Sequence, residues 1–208
     1  VQTDHSARLT IAHGLNEERL ERQLDELAVI NQAIADAGHD FRILSGMEVD
    51  ILEDGSLDLS GEMLERLDVV VASVHSKLRM ERTQMTERML LAVASPHVDI
   101  LGHCTGRMIG KRPPSEFDAD YVFAACARFG TAIEINCRPE RLDPPRELLS
   151  MAVDHGCWFS IDSDAHATGQ LEWQPHGCDR AAECQVPIDR IINTMPVDDL
   201  LAWTRSAA

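Results

Sequence analysis

The chain has 208 residues, 44% hydrophobic and 26% charged, with a formal net charge of −16. Such a profile excludes a disordered chain and suits one globular unit with a sizeable core. No apolar run approaches the roughly 20 residues of a membrane span and no signal peptide heads the chain, while an acidic surface excludes non-specific polyanion binding by the whole molecule. Cys104, Cys126, Cys137, Cys157, Cys178 and Cys184 include no C-x-x-C pair. A zinc ribbon and a thioredoxin-type motif are thereby excluded, and reduced thiols in a cytoplasmic protein are expected.

Val1 to Thr3 reads as the tail of a strand leading to His5. Asn16 is a good N-cap, Glu17 and Glu18 suit the first turn, and Leu20, Leu24, Leu27 and Ile34 keep helical spacing up to a stop at Gly38. The spacing predicts a strand over 41–51 that carries Glu48, then a short helix over 61–67. The run 69–74, VVVASV, reads as a strand buried on both faces and ends at His75. Helix 83–94 precedes strand 98–101, which ends at Gly102-His103. A polar loop with Arg107, Lys111 and Arg112 follows, then helix 118–129, strand 131–135 ending in Asn136, and helix 145–155. Strand 158–161 runs into Asp164-Ala165-His166, and an extended chain there would project both side chains together. Pro187 and Pro196 each suit a helix first turn in the remainder.

Strand and helix alternate about six times at roughly 25–35 residues per unit, which implies a parallel sheet with helices outside, as in a (β/α) barrel. One domain over 1–208 is expected. His5, Glu48, His75, His103, Asp164 and His166 then all fall at strand ends. In a parallel barrel those ends meet at one rim, and that many imidazoles and carboxylates exceed the needs of one ion, so a multinuclear divalent cluster is expected. The other histidines read as structural or solvated: His39 and His97 beside helix ends, His155 capping the last carbonyls of its helix, His176 in the tail, and His13 in the loop after His5.

The motifs Thr3-Asp4-His5-Ser6, Gly46-Met47-Glu48-Val49, Ser73-Val74-His75-Ser76, Gly102-His103-Cys104-Thr105-Gly106-Arg107, Glu134-Ile135-Asn136 and Ser163-Asp164-Ala165-His166 resemble the PHP (polymerase and histidinol phosphatase) superfamily over almost the whole chain. Glu48-Val49-Asp50-Ile51-Leu52 with Asp54-Gly55-Ser56-Leu57-Asp58 is most similar to the PHP domain at the C-terminus of bacterial family X DNA polymerases and to related stand-alone proteins. The resemblance implies a distorted (β/α)7 barrel, a three-metal cluster and metal-dependent phosphoester hydrolysis. It also implies one ion on Glu48, His75 and His103, one on Asp164 with a His-x-His pair, and one on His5 and His166. No His-x-His occurs, and Cys104 stands where the family has proline. With Val1 not preceded by methionine, the chain is expected to be a fragment lacking the first βα unit and holding one good ion position.

The implied mechanism needs cations for the non-bridging phosphate oxygens, a role that suits Arg107, with Lys77 and Arg138 as further candidates. Asn136 would order a water or a ligand histidine. Zn²⁺ is the first expectation for the metal, with Mn²⁺ and Fe²⁺ also suited. Three functions compete: a phosphoesterase for nucleic-acid 3′ ends, with loops 107–112 and 138–141 as a local basic mouth; a phosphatase for a small phosphorylated metabolite; and a metal-stabilised module without activity. An amidohydrolase barrel is a weaker rival.

Overall fold

In the computed structural model, which describes residues 1–206, the strands are β1 (Gln2–His5), β2 (Ser45–Asp50), β3 (Val69–Ser73), β4 (Ile100–Leu101), β5 (Ala132–Asn136) and β6 (Phe159–Asp162). The helices are α1 (Glu17–Asp36), α2 (Gly61–Leu64), α3 (Arg82–Val93), α4 (Ala119–Phe129), α5 (Arg146–Asp154), α6 (Gln174–Glu183) and α7 (Val197–Ser206). All six strands are parallel in one sheet, in chain order from β1 to β6. The ring of His5, at the end of β1, lies 5.7 Å from that of His166, beyond β6. The sheet is therefore curled until its outer strands approach at their C-terminal ends, the α/β half-barrel expected of a distorted (β/α) barrel.

Two faces of the sheet carry two cores. Val70 and Ala72 of β3 pack under the helices with Met85, Met89, Ala92 and Phe123. Val69 and Val71 point to the other face, in a smaller cluster with Ile100, Ala132 and Ile192, against which Trp158, Met195, Leu200 and Trp203 pack. Those residues stand near the starts of their strands, so α7 and the preceding turn close the N-terminal end of the curl. The outer edge of β6 is covered as well: Ile161 N–H donates to Asn193 Oδ1 at 2.7 Å and its carbonyl accepts from Asn193 Nδ2 at 3.0 Å. An amide side chain thus imitates a neighbouring strand and satisfies an edge that would otherwise invite pairing.

Local signals place most helices. Asn16 Oδ1 accepts the Arg19 N–H at 3.0 Å and caps α1, and Gly130 takes the left-handed conformation after α4 with φ 77°. Three expectations need correction. Residues 41–44 are not strand, because Asn31 of α1 takes both backbone groups of Ile43 at 2.8 Å and leaves none for a sheet partner. The strand at 98–101 shortens to two residues and the helix at 61–67 to one turn. His155 does stand at the C-cap of its helix, its backbone N–H donating to Met151 O at 3.0 Å, while its side-chain Nε2 lies 3.1 Å from Asp120 Oδ1 on α4. The six cysteines are free thiols, Cys178 exposed and the others buried. Among the described residues no helix is long and apolar enough to cross a membrane.

Candidate metal centre

Strand alternation decides what faces the mouth of the curl. In β2, Met47, Val49 and the following Ile51 enter the helix-covered core, so Glu48 and Asp50 turn to the other face. In β5, Ile133 and Ile135 go to the core and Glu134 and Asn136 turn inward; in β6, Phe159 and Ile161 do the same and Ser160 and Asp162 turn inward. The register sets His5 beside Glu48, and Asn136 beside Asp162. His75 and His103 follow two residues after their strands end. Gly102 is required before His103, because a Cβ there would lie 2.1 Å from Ser73 Oγ.

Glu48 is the centre of the arrangement. His75 Nε2 lies 3.2 Å and His103 Nε2 3.0 Å from its Oε1, while His5 Nδ1 lies 3.3 Å from its Oε2. Ligand atoms of His5, Glu48 and His75 all fall within 4.8 Å of one another. Glu48 Oε1, His75 Nε2 and His5 Nδ1 are buried with no aligned hydrogen-bond partner. Buried polar atoms left in this state are uncommon, and their convergence is what a shared divalent ion would satisfy. The donor set, imidazole nitrogen with carboxylate oxygen, fits a borderline divalent metal.

Electrostatics agree with that reading. Burial alone would raise Glu48, but the close His103 and His75 imidazoles hold it well below the ordinary carboxylate range. Burial opposes charge on His75 too, yet Asp50 and Glu48 raise it to about 9. Burial lowers His5, with Glu48 opposing. Glu134, absent from the expected site, accepts the backbone N–H of His103, and burial with the neighbouring Asp162 and Asp164 pushes its carboxyl well up. Asp162 is raised by burial. Asp50 and Asp162 are likewise absent from the expected site, although all three sit in polar-apolar-polar triplets, EVD, EIN or SID, whose alternation marks an inward position.

Asp164 and His166 reach the mouth by a different route from the one expected. The strand stops at Asp162, and Asp164 takes a left-handed conformation with φ 50°, so the pair sits on a turn and not on an extended strand end. His166 Nδ1 is still 3.5 Å from Asp164 Oδ1, with the histidine side chain 49% exposed and the aspartate 8%. Asn136 Nδ2 donates to Asp164 Oδ2 at 3.2 Å and its Oδ1 accepts the Arg138 N–H at 3.0 Å, so it orders this carboxylate and no histidine.

The expected cations differ in their surroundings. Arg107 Nε donates to Arg141 O at 2.8 Å and its Nη2 to Leu142 O. Its guanidinium joins the loops after β4 and β5. Lys77, with φ 53°, is exposed on the loop after His75. Arg138 Nη1 comes to 4.0 Å from Asp164 Oδ2, and its guanidinium stacks 5.8 Å over Trp173. Arg141, read from sequence only as part of a basic loop, is nearer: its Nε is 3.2 Å from Asp164 Oδ2, its side chain is 13% exposed, and its Nε and Nη1 are buried without an aligned hydrogen-bond partner.

Comparison with known proteins adds relatives of two kinds. The chain is 36% identical over 203 residues to the DNA polymerase/3′-5′ exonuclease PolX of Bacillus subtilis, covering 98% of this chain and 35% of that protein. It is 32% identical over 164 residues to a probable phosphatase of Serratia proteamaculans and 30% over 167 to the probable phosphatase YcdX of Escherichia coli; each match covers 74% of this chain and 64% of the relative. The chain thus spans about a third of the first relative and under two thirds of the others. A histidinol phosphate phosphatase from Lactococcus lactis, solved with zinc, L-histidinol and phosphate, shares the fold with a TM-score of 0.51 and 19% identity, over 77% of this chain and 74% of that one. No family model matches.

Proposed function

The chain belongs to the PHP superfamily, and from that premise we propose that it is the metal-binding core of a phosphoester hydrolase acting at nucleic-acid 3′ ends. The observation that carries this is Glu48, with imidazoles on both of its oxygens at 3.0–3.3 Å. Oε1 with His75 and His103 would hold one ion, and Oε2 with His5 would begin a second position, near which the His166 ring lies. Divalent ions bound there would supply Lewis acidity, lowering the pKa of water and offsetting phosphate charge. Zn²⁺ suits the imidazole-rich set best, and Mn²⁺ and Fe²⁺ also fit it.

The chain's own residues do the rest. Arg141 and Arg138 present guanidinium groups beside Asp164, where they can hold non-bridging phosphate oxygens. Asn136 keeps Asp164 in place between them. Arg107 fixes the carbonyls of Arg141 and Leu142, so it sets the position of Arg141. Lys77 remains free to meet a longer substrate at the rim. The name of the B. subtilis relative favours a DNA 3′ end. The net charge of −16 favours instead a small phosphorylated metabolite. A cytoplasmic setting belongs to this reading, since the six thiols are unpaired.

The test is turnover by the protein after chelation and restoration of Mn²⁺ or Zn²⁺. A 3′-phosphorylated oligonucleotide, an unmodified oligonucleotide and histidinol phosphate are compared. Metal-dependent product from either oligonucleotide supports the proposal. Product from histidinol phosphate alone supports the metabolite reading, and no product from any phosphoester refutes both.

A further inference from the structure

Behind the ligand set lies a second layer of buried polar contacts that no ligand assignment uses. His75 Nδ1 meets Asp50 Oδ1, while its Nε2 faces Glu48 Oε1 at 3.2 Å. The two ring nitrogens therefore have separate tasks: one is held by a carboxylate, the other is left for the site. Asp50 is itself held from the end of β1, where Ser6 Oγ accepts its N–H at 3.0 Å.

Arg88 lies on α3, is 1% exposed, and is among the largest fully buried side chains of the protein. Burying a guanidinium is costly unless its donors are used. Its Nη1 donates to Ser76 O at 2.9 Å, and its Nη2 donates to Ile51 O and lies 3.4 Å from Ser76 Oγ. Ile51 follows Asp50, and Ser76 follows His75. One side chain thus ties together the two backbone segments immediately after the Asp50–His75 pair. A cation serving only the core had no need to bridge those two residues.

We propose that Asp50 and Arg88 are positioning residues for metal binding: Asp50 holds His75 as the tautomer with hydrogen on Nδ1, leaving the Nε2 lone pair for the ion, and Arg88 clamps the two strand ends at the spacing this requires. Carboxylate partners of metal-bound histidines fix tautomer and ring orientation in this way, and their loss weakens metal binding by roughly 10–100-fold. The inference rests on the metal-centre reading above and extends it to residues that touch no ion.

Four proteins test it: the unaltered chain, Asp50→Asn, Arg88→Met and the double variant. Affinity for Zn²⁺ is measured by competition with a chromogenic chelator, and the His75 ring nitrogens are followed by NMR without metal, at a pH high enough to keep the ring neutral. An amide in place of the carboxylate keeps its shape but can equally donate to Nδ1, so Asp50→Asn should populate the Nε2–H tautomer and lose roughly 10–100-fold in affinity. Arg88→Met should lose about tenfold, at the lower end of that range. Because the two act on one histidine, the double variant should lose no more than about the larger single loss. Affinities within twofold of the unaltered chain overturn the relay, as do losses that multiply. If Arg88→Met fails to fold by circular dichroism, the NMR and affinity results for Asp50→Asn decide alone. Failure of the unaltered chain to bind Zn²⁺ overturns the metal reading and this proposal with it.

Discussion

Asp99 offers a quantitative test of the electrostatics of this fold. It stands immediately before β4 and is 6% exposed. Its Oδ2 accepts the Val70 N–H at 2.7 Å, and its own N–H and carbonyl bond Val70 O at 3.1 Å and the Ala132 N–H at 2.8 Å. Burial raises its carboxyl from 3.8 to about 7, and the Val70 hydrogen bond offsets only part of that. A folded-state value above the unfolded one means that the folded state binds more protons. No stability is lost below about pH 4, loss accumulates as pH rises towards about 7, and it is complete above that. About three pH units at 1.36 kcal/mol each set a ceiling of about 4 kcal/mol. Asp99→Asn keeps an oxygen for the Val70 N–H and carries no charge. It should be more stable than the parent by about 2–4 kcal/mol at pH 8, or about 5–10 °C in melting temperature for a chain of this size. The difference should shrink as pH falls to 5. Urea unfolding at both pH values, with a chelator throughout so that bound metal does not contribute, measures it. An advantage that is equal at the two pH values, or absent at pH 8, refutes the assignment of a buried, charge-averse carboxyl.

Further outcomes follow from the site and its supports. Glu48→Gln removes the negative charge that three imidazoles surround, and elemental analysis after gel filtration should show the tightest site emptied. Arg107→Ala breaks two hydrogen bonds from a charged donor to backbone carbonyls and should cost about 2–4 kcal/mol, read as a fall in melting temperature; an unchanged melting temperature would return Arg107 to the role of a free surface cation. Arg141→Met should raise KM for a phosphoester by about 10–100-fold while metal content stays constant, and a loss of metal instead would show that it acts on the ion site. Zn²⁺ or Mn²⁺ at about 100 times Kd should stabilise the chelated protein by about 2.7 kcal/mol, and a melting temperature indifferent to both ions would argue against a folded-state site.

Much of this protein is written locally. Helix α1 is legible because Asn16, Glu17 and Gly38 act on their own turns, and β3 because VVVAS needs cover on both faces wherever it sits. The strand-helix alternation, the parallel sheet and the identity of His5, Glu48, His75 and His103 as neighbours all follow from period and position, since a parallel curl sends every strand end to one rim. Tertiary structure decided whatever depends on a partner far along the chain. Residues 41–44 lost their strand to Asn31, a competition that no local propensity records. Asp164 and His166 met on a left-handed turn because the strand stops at Asp162 and Asp164 takes a positive φ. Arg107 and Arg141 stand in surroundings that their sequence neighbourhoods do not record: a guanidinium is committed by whichever carbonyls or carboxylates surround it, and those belong to another loop. Asp50 and Arg88 carry the same lesson, since a carboxylate on a strand and an arginine on a helix become supports of His75 only when β2, β3 and α3 are packed together.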